Sequence, residues 1–448
     1  MTCRRRRRYS PPNRETEPFS IKTGITVSMI KGIKGVKDLL PEETPRWRFI
    51  EETARRWADR YGFHEIRIPI FEVTTLFARS IGASTDIVEK EMYTFQDRDG
   101  TSLTLRPEGT AGTVRAYIEH NRGAVPVPQK YFYFGPMFRH ERPQAGRLRQ
   151  FHQFGVESFG MADPRSDIEV IALLWRLLSD VGLQGLTLEI NNLGYPADRD
   201  SYRPQLVTYL KQHESHLCSN CQRRIEMNPL RILDCKVPEC RALTEQAPRL
   251  ADSLSEAPRA YSAAVLRGLD LIRIPYSLNH RLVRGLDYYN LTTFEVTAMN
   301  LGAQNAVGAG GRYDGLVETL SGPPTPAVGF AVGLERIAML LADSAIRTSA
   351  AKAVVYIAAF GEQGSLAGLS ALEDLRVCGI SAVSDFRSST LKAHLRQADR
   401  LGCSFTLIIG DDEVTKGTGI LRNMVTKSQY DLPLAALPTA IQPLLTIS

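Results

Sequence analysis

Several short stretches concentrate side chains able to do chemistry. The first is RGLDYYNLTTFEV, from Arg284 to Val296. Its second half, with Thr292, Thr293, Phe294 and Val296, has the composition of a strand. Ahead of that strand stand a permanent cation, Arg284, the carboxylate of Asp287, and two adjacent phenols, Tyr288 and Tyr289. The second stretch is GPMFRHERPQAGRLRQFHQFGVESFG, residues 135–160. It sets Arg139, Glu141, Arg142, Gln144, Arg147, Phe151, Gln153 and Glu157 around a central loop, RPQAGR, between strand-like arms. Arg139, Glu141, Gln153 and Glu157 are expected within the arms, where odd-numbered positions share a strand face. A face given over to a cation, carboxylates and an amide points to a charged ligand, against the plainer reading of a solvated turn.

Other stretches are weaker alone. In TLRPEGTAGTVRAYI, residues 104–118, Glu108 and Thr110 open a helix, and a carboxylate in a first turn is explained by capping. GAGGRYDG, residues 308–315, completes neither a P-loop nor a dinucleotide fingerprint, so its glycines are read as letting backbone approach a ligand. GFAVGLERIAML, residues 329–340, places Arg336 early in an apolar helix, as an ion pair or a phosphate contact. Cys218-x2-Cys221 and Cys235-x4-Cys240 are two close pairs, spaced for tetrahedral zinc or simply four reduced thiols.

The positioning elements follow from periodicity. Residues 41–60 read as an amphipathic helix, HEIRIPIFE as a strand in which Pro69 marks an edge or a bend, and QKYFYFGPMFRHE and LTLEINNLG as further strands. Residues 164–182 and 201–213 read as helices. AVGFAVGLERIAMLLAD reads as a glycine-led helix on a sheet. A polar, helical insertion spans about 196–262 and carries the four clustered cysteines. A composition break at 342–352 precedes a strand–helix alternation, predicting a small α/β domain over 351–448.

Of 448 residues, 43% are hydrophobic and 23% charged, ordinary for a globular protein. No apolar run approaches the roughly 18 residues a membrane span needs. The net charge is +6, but residues 1–28 contribute +5 of it, so the body is nearly balanced and RNA binding must rest on local patches. That basic leader reads as disordered, or as preceding the true start at Met29; a targeting or RNA-touching tail is the other possibility. Seven cysteines without a signal peptide predict a reducing, cytoplasmic location.

Taken together, FRHE, GLER, RPEGT, RGLDYYN and GGRYDGL resemble the histidyl-tRNA synthetases, a class II aminoacyl-tRNA synthetase family, over about residues 30–448. FRHE and GLER correspond to the second and third class II motifs, RIPIFE stands in the place of the first, and RGLDYYN and GGRYDGL are the histidine-specific signatures. The resemblance implies an α+β catalytic domain over 29–345, its antiparallel sheet flanked by helices, a C-terminal α/β anticodon-binding domain, and a homodimer. It implies L-histidine, ATP with Mg2+, and histidine tRNA as ligands. Arg284 and Arg139 would be the cations at the reacting phosphate. Glu108, Thr110, Gln153, Glu157, Tyr288 and Tyr289 would hold histidine. Arg139, Glu141, Phe151 and Arg336 would hold ATP, with Phe151 and Arg336 sandwiching the adenine. Arg142, Gln144 and Arg147 would meet the tRNA acceptor stem. Arg387, Lys392, Arg396 and Arg400 offer phosphate contacts in the last domain. No metal follows from the resemblance for the cysteines, where structural zinc remains one of two readings. The rival to a ligase is the regulatory paralogue of histidine biosynthesis, which resembles the catalytic domain but lacks the anticodon-binding one. Leu291 departs from the family pattern, where an arginine is more familiar.

Overall fold

A computed structural model describes residues 30–82, 85–144, 146–298, 306–341, 355–388 and 390–445. The basic leader and the composition break at 342–352 lie outside the described residues. The chain enters its main sheet at β1 (His64–Glu65). It leaves for a small sheet of β2 (Phe71–Val73), β3 (Thr94–Gln96) and β4 (Ser102–Leu105). It returns through β5 (Gln129–Phe138), β6 (Gln150–Phe159), β7 (Thr187–Asn192), β8 (Ser277–Leu278), β9 (Asn290–Thr297), β10 (Ala306–Arg312) and β11 (Ala327–Gly333). The main sheet has eight strands in the order β1-β5-β6-β11-β10-β9-β7-β8. All of its interior pairings are antiparallel, and only the short edge strands β1 and β8 run parallel to their neighbours.

Residues paired directly across antiparallel strands share a face. On one face Phe132, Phe154, Val156, Phe294, Val296, Phe330 and Val332 form a buried core. Helices Thr44–Arg60, Pro164–Asp180 and Glu256–Leu271 cover it. The Pro164–Asp180 helix shows why it starts and how it packs. Asp163 accepts a hydrogen bond from the Arg165 N–H (2.8 Å), proline occupies the first turn, and Val170, Leu173, Leu174, Leu177 and Leu178 are buried. A buried ion pair ties this helix to the sheet. Arg312, fully enclosed at the end of β10, donates to Asp167 Oδ1 (2.7 Å) and Ser166 Oγ (2.6 Å), while Thr292 Oγ1 donates to Asp167 Oδ2 (2.8 Å).

Three expectations need correction. HEIRIPIFE is two strands in different sheets, because the chain turns away at Pro69. AVGFAVGLERIAML is a central strand through Gly333, and only Leu334–Leu340 is helical. Arg139 and Glu141 lie beyond the β5–β6 ladder, whose last pair is Phe138 with Gln150.

The final part is a five-stranded mixed sheet. In it β12 (Val355–Ala359) lies between β13 (Ala382–Val383) and β14 (Phe405–Ile409), both parallel to it, and β15 (Thr418–Asn423) and β16 (Gln429–Pro433) extend it antiparallel. Helices Glu362–Val377 and Leu437–Leu445 pack on it. No described helix is long and apolar enough to cross a membrane.

Removing one member of a buried charge pair strands the other in low dielectric. Asp167→Ala is therefore expected to cost about 3–5 kcal/mol, read as a lowered urea midpoint with unchanged m-value.

Candidate active site

The second face of the main sheet carries small residues at its centre. Glu157 of β6 pairs with Gly329 of β11, Gly155 with Ala331, and Gly311 of β10 with Gly329 and with Thr293 of β9. Over this floor lies a cavity of about 560 Å³. The small residues are a steric requirement. A Cβ at Gly329 would collide with the Glu157 carboxylate, one at Gly155 with the Tyr133 ring, and one at Gly311 would come within 2.8 Å of Tyr289.

Glu108, Thr110, Arg139, Glu141, Arg147, Phe151, Gln153, Glu157, Arg284, Tyr288, Tyr289 and Arg336 all line this cavity. Glu157 is its most enclosed acid, 1% exposed. It accepts from Thr110 Oγ1 (2.6 Å), Tyr133 OH (3.2 Å) and, through a short bond, Tyr313 OH. Burial pushes its pKa up to about 8, although those hydrogen bonds pull it down. Tyr133 and Tyr313 escaped the sequence reading. Tyr133 looks like ordinary strand composition, and only the pairing Tyr133–Gly155 shows its ring turned to the cavity face. Tyr313 stood within GGRYDG, where a phenol after a glycine run was the available signal. The phenol bonded most closely to Glu157 is thus that of Tyr313, not one of the two in the RGLDYY stretch. Tyr289 lies tilted against Tyr288 (4.7 Å between centroids, 47° between ring planes), and burial pushes its pKa up to about 12.

Glu108 serves the helix. Its oxygens accept from the N–H groups of Thr110 (2.5 Å) and Ala111 (2.9 Å), at the start of the Thr110–Glu119 helix. Among the described residues, Gln153 Oε1 is buried without a protein hydrogen-bond partner, as is Arg284 Nε. These two atoms are thus available to a ligand.

The cations occupy another part of the cavity wall, each anchored on one side. Arg284 Nη1 donates to Glu295 Oε2 of β9 (2.5 Å), a partner the sequence reading missed. Arg139 donates Nε–H to Pro107 O (2.9 Å) and lies over Phe151, 5.3 Å from its centroid. Arg336 donates to the carbonyl oxygens of Ala306 and Gly146. Arg147 turns inward to Glu141 (2.8 Å), whereas Arg142 and Gln144 remain exposed at the hairpin tip. Glu335 closes the back, accepting from the His152 N–H (2.9 Å) and so locking the Arg336 helix to β6.

Cys218, Cys221, Cys235 and Cys240 converge, with all four Sγ atoms within 4.8 Å of one another. In the last domain Lys392, Arg396 and Arg400 are exposed at four-residue spacing on the Leu391–Arg400 helix, and Arg387 is paired with Asp385 (2.9 Å).

Comparison with known proteins decides the family. The model for histidyl-tRNA synthetase matches residues 35–196 and 228–337. The chain belongs to the histidyl-tRNA synthetase family. An anticodon-binding domain model matches residues 355–444. The histidine–tRNA ligase of Trichlorobacter lovleyi is 49% identical over 92% of this chain and 97% of that protein, and that of Geobacter sulfurreducens 48% over 91% and 98%. The crystal structure of apo S. aureus histidyl-tRNA synthetase is 39% identical, with a TM-score of 0.78 over 92% of this chain and 99% of that one. The class II catalytic fold with its C-terminal anticodon-binding domain follows from these matches.

The raised Glu157 pKa has a consequence for stability. Below the ordinary value of 4.5 the group is protonated folded and unfolded; between 4.5 and about 8 unfolding releases its proton, so its contribution to stability falls as pH rises through that window. Melting ligand-free protein across it should show wild type losing more stability than Glu157→Gln; parallel losses would count against a protonated Glu157.

Proposed function

We propose that the chain is a histidine–tRNA ligase, forming histidyl-adenylate from L-histidine and ATP and passing the histidyl group to the 3′-end of histidine tRNA. The observation carrying this reading is one cavity that holds a carboxylate–phenol–amide group and a set of half-anchored arginines. Imidazole offers one donor and one acceptor, or two donors when charged, and Glu157 with its phenols can answer either form. Tyr288 and Tyr289 line that pocket, and Gln153, Thr110 and Glu108 are assigned to the α-amino group, with Gln153 Oε1 as the free acceptor.

In the first step an oxygen of the histidine carboxylate forms a bond to the α-phosphorus. The bond from that phosphorus to its bridging oxygen breaks, and pyrophosphate leaves with the electron pair. The attacking carboxylate is ionised at neutral pH, so no general base is required. The transition state needs fixed positive charge and alignment instead. Arg284 and Arg139 supply the charge. Glu295 and the Pro107 carbonyl hold them in place, so little reorganisation accompanies reaction. Phe151 and Arg336 take the adenine.

Magnesium would neutralise phosphate charge. Glu141 is the assigned carboxylate on the ATP side, and such an ion needs only one or two protein carboxylates beside the phosphates. Zinc on the four cysteines belongs to this reading as a structural ion outside the chemistry. Arg142 and Gln144, exposed on the hairpin tip, are assigned to the acceptor stem with Arg147 behind them, and the basic face of the Leu391–Arg400 helix to tRNA phosphates. Ile70, Phe71, Val73 and Phe95, 45–52% exposed around the small sheet, support a homodimer. The location is read as cytoplasmic. The anticodon-binding match at 355–444 argues against the regulatory paralogue.

Histidine-dependent exchange of labelled pyrophosphate into ATP, without tRNA, tests the reading. Wild type should exchange with histidine alone among amino acids, and Arg284→Ala should lower the rate by roughly 10²–10³-fold at unchanged Tm. A folded wild type that binds histidine without exchange would overturn the ligase reading.

A further inference from the structure

The four-cysteine cluster sits where the insertion meets the cavity. Cys221 and Cys240 are fully buried, Cys218 and Cys235 half-buried, and all four Sγ atoms lie within 4.8 Å of one another. Thiolates around tetrahedral zinc, at about 2.3 Å each, stand roughly 3.8 Å apart, so modest inward shifts complete the site. The Cys218 N–H donates to Cys240 Sγ (3.2 Å), the kind of outer hydrogen bond that orients a thiolate ligand. The surrounding elements are short, Ser219–Met227, Pro229–Ile232 and Pro238–Glu245. Helices of this length bury little apolar area of their own, the circumstance in which a metal supplies the missing cross-link.

What the cluster would hold in place is specific. Between its two cysteine pairs runs the turn from Asn228 to Arg231. Asn228 Nδ2 donates to Asp287 Oδ1 (3.0 Å), inside the signature loop. Arg231 lines the cavity, and a Cβ placed on Gly285 would lie 3.7 Å from its Nη2. The preceding helix, Ser219–Met227, extends the clamp, with Arg224 paired to Asp86 (2.5 Å) across the rim. Cys235 then hydrogen-bonds back to Ile232 O (3.0 Å), joining the cluster to the turn that carries Arg231.

We propose that Cys218, Cys221, Cys235 and Cys240 bind one structural zinc ion that holds the Asn228–Arg231 turn against the Arg284–Tyr289 loop. Arg231 is thereby a positioning residue for that loop. The inference rests on the ligase reading for its activity readout only, since metal content and spectra are measured without turnover.

The test uses full-length protein. Elemental analysis should give about one zinc per chain, lost in a Cys221→Ser, Cys240→Ser double variant. Cobalt added to chelator-stripped protein should produce thiolate charge-transfer and tetrahedral absorption bands. Stripping should lower pyrophosphate exchange by about tenfold or more, with recovery on adding zinc. Arg231→Ala should retain its zinc and lower exchange to a similar degree, with Arg231→Lys recovering part of it. A folded protein with neither zinc nor a cobalt–thiolate spectrum overturns the site. Stripped protein that exchanges at the wild-type rate overturns the link to the loop, as does a fully active Arg231→Ala.

Discussion

The cavity depends on a stretch of sheet that carries almost no side chains on one face. Neighbouring strands are fixed by hydrogen bonding at about 4.8 Å, so space above them is set by what projects from Cα. Gly155, Gly311, Gly329, Ala309 and Ala331 project little or nothing, and Glu157 and Tyr133 can lie down on the backbone. The opposite face pays no such restriction and is filled with Phe132, Phe154, Phe294 and Phe330. One alternating pattern thus produces a rigid core below and a ligand-sized space above.

The same geometry governs the charges. Glu157 is almost wholly enclosed by protein, which raises its pKa and makes its three hydroxyl donors necessary. The arginines are held at the walls, each with one side of its guanidinium tied to a carbonyl or carboxylate and the remainder facing inward. Charge fixed before the substrate arrives stabilises a phosphoryl transition state better than charge that must move to meet it. The Arg312–Asp167 pair does its work beneath the site, where it joins β10 to the long helix and keeps GGRYDG in register.

Much of this was legible in the chain. The odd-numbered face of the second hairpin arm placed Gln153 and Glu157 correctly on one side. The same rule failed for Arg139 and Glu141 because the ladder ends at Phe138, and no residue type announces where pairing stops. GFAVGLER was read as helix because a short apolar run with glycines fits either period. The strand is betrayed only by its neighbours β6 and β10. Tyr133 and Tyr313 were hidden for a related reason, since an inward phenol is a fact of register, not of composition. The C-terminal alternation of strand and helix was plain, because Val355–Ala359, Glu362–Val377, Leu391–Arg400 and Phe405–Ile409 are long enough to show their period.

The two-faced sheet also divides the way substitutions can accumulate. On the packed face, a change in one aromatic or branched residue can be answered by its neighbours, because total volume is what the core conserves. On the bare face no neighbour can compensate for an added methyl at Gly329 or Gly155, because the obstacle is the Glu157 carboxylate or the Tyr133 ring lying on the backbone itself. Along each central strand, then, residues that can drift together alternate with residues that must stand alone. A deep mutational profile of β6, β10 and β11 would carry a two-residue rhythm of tolerance, visible without any knowledge of the reaction.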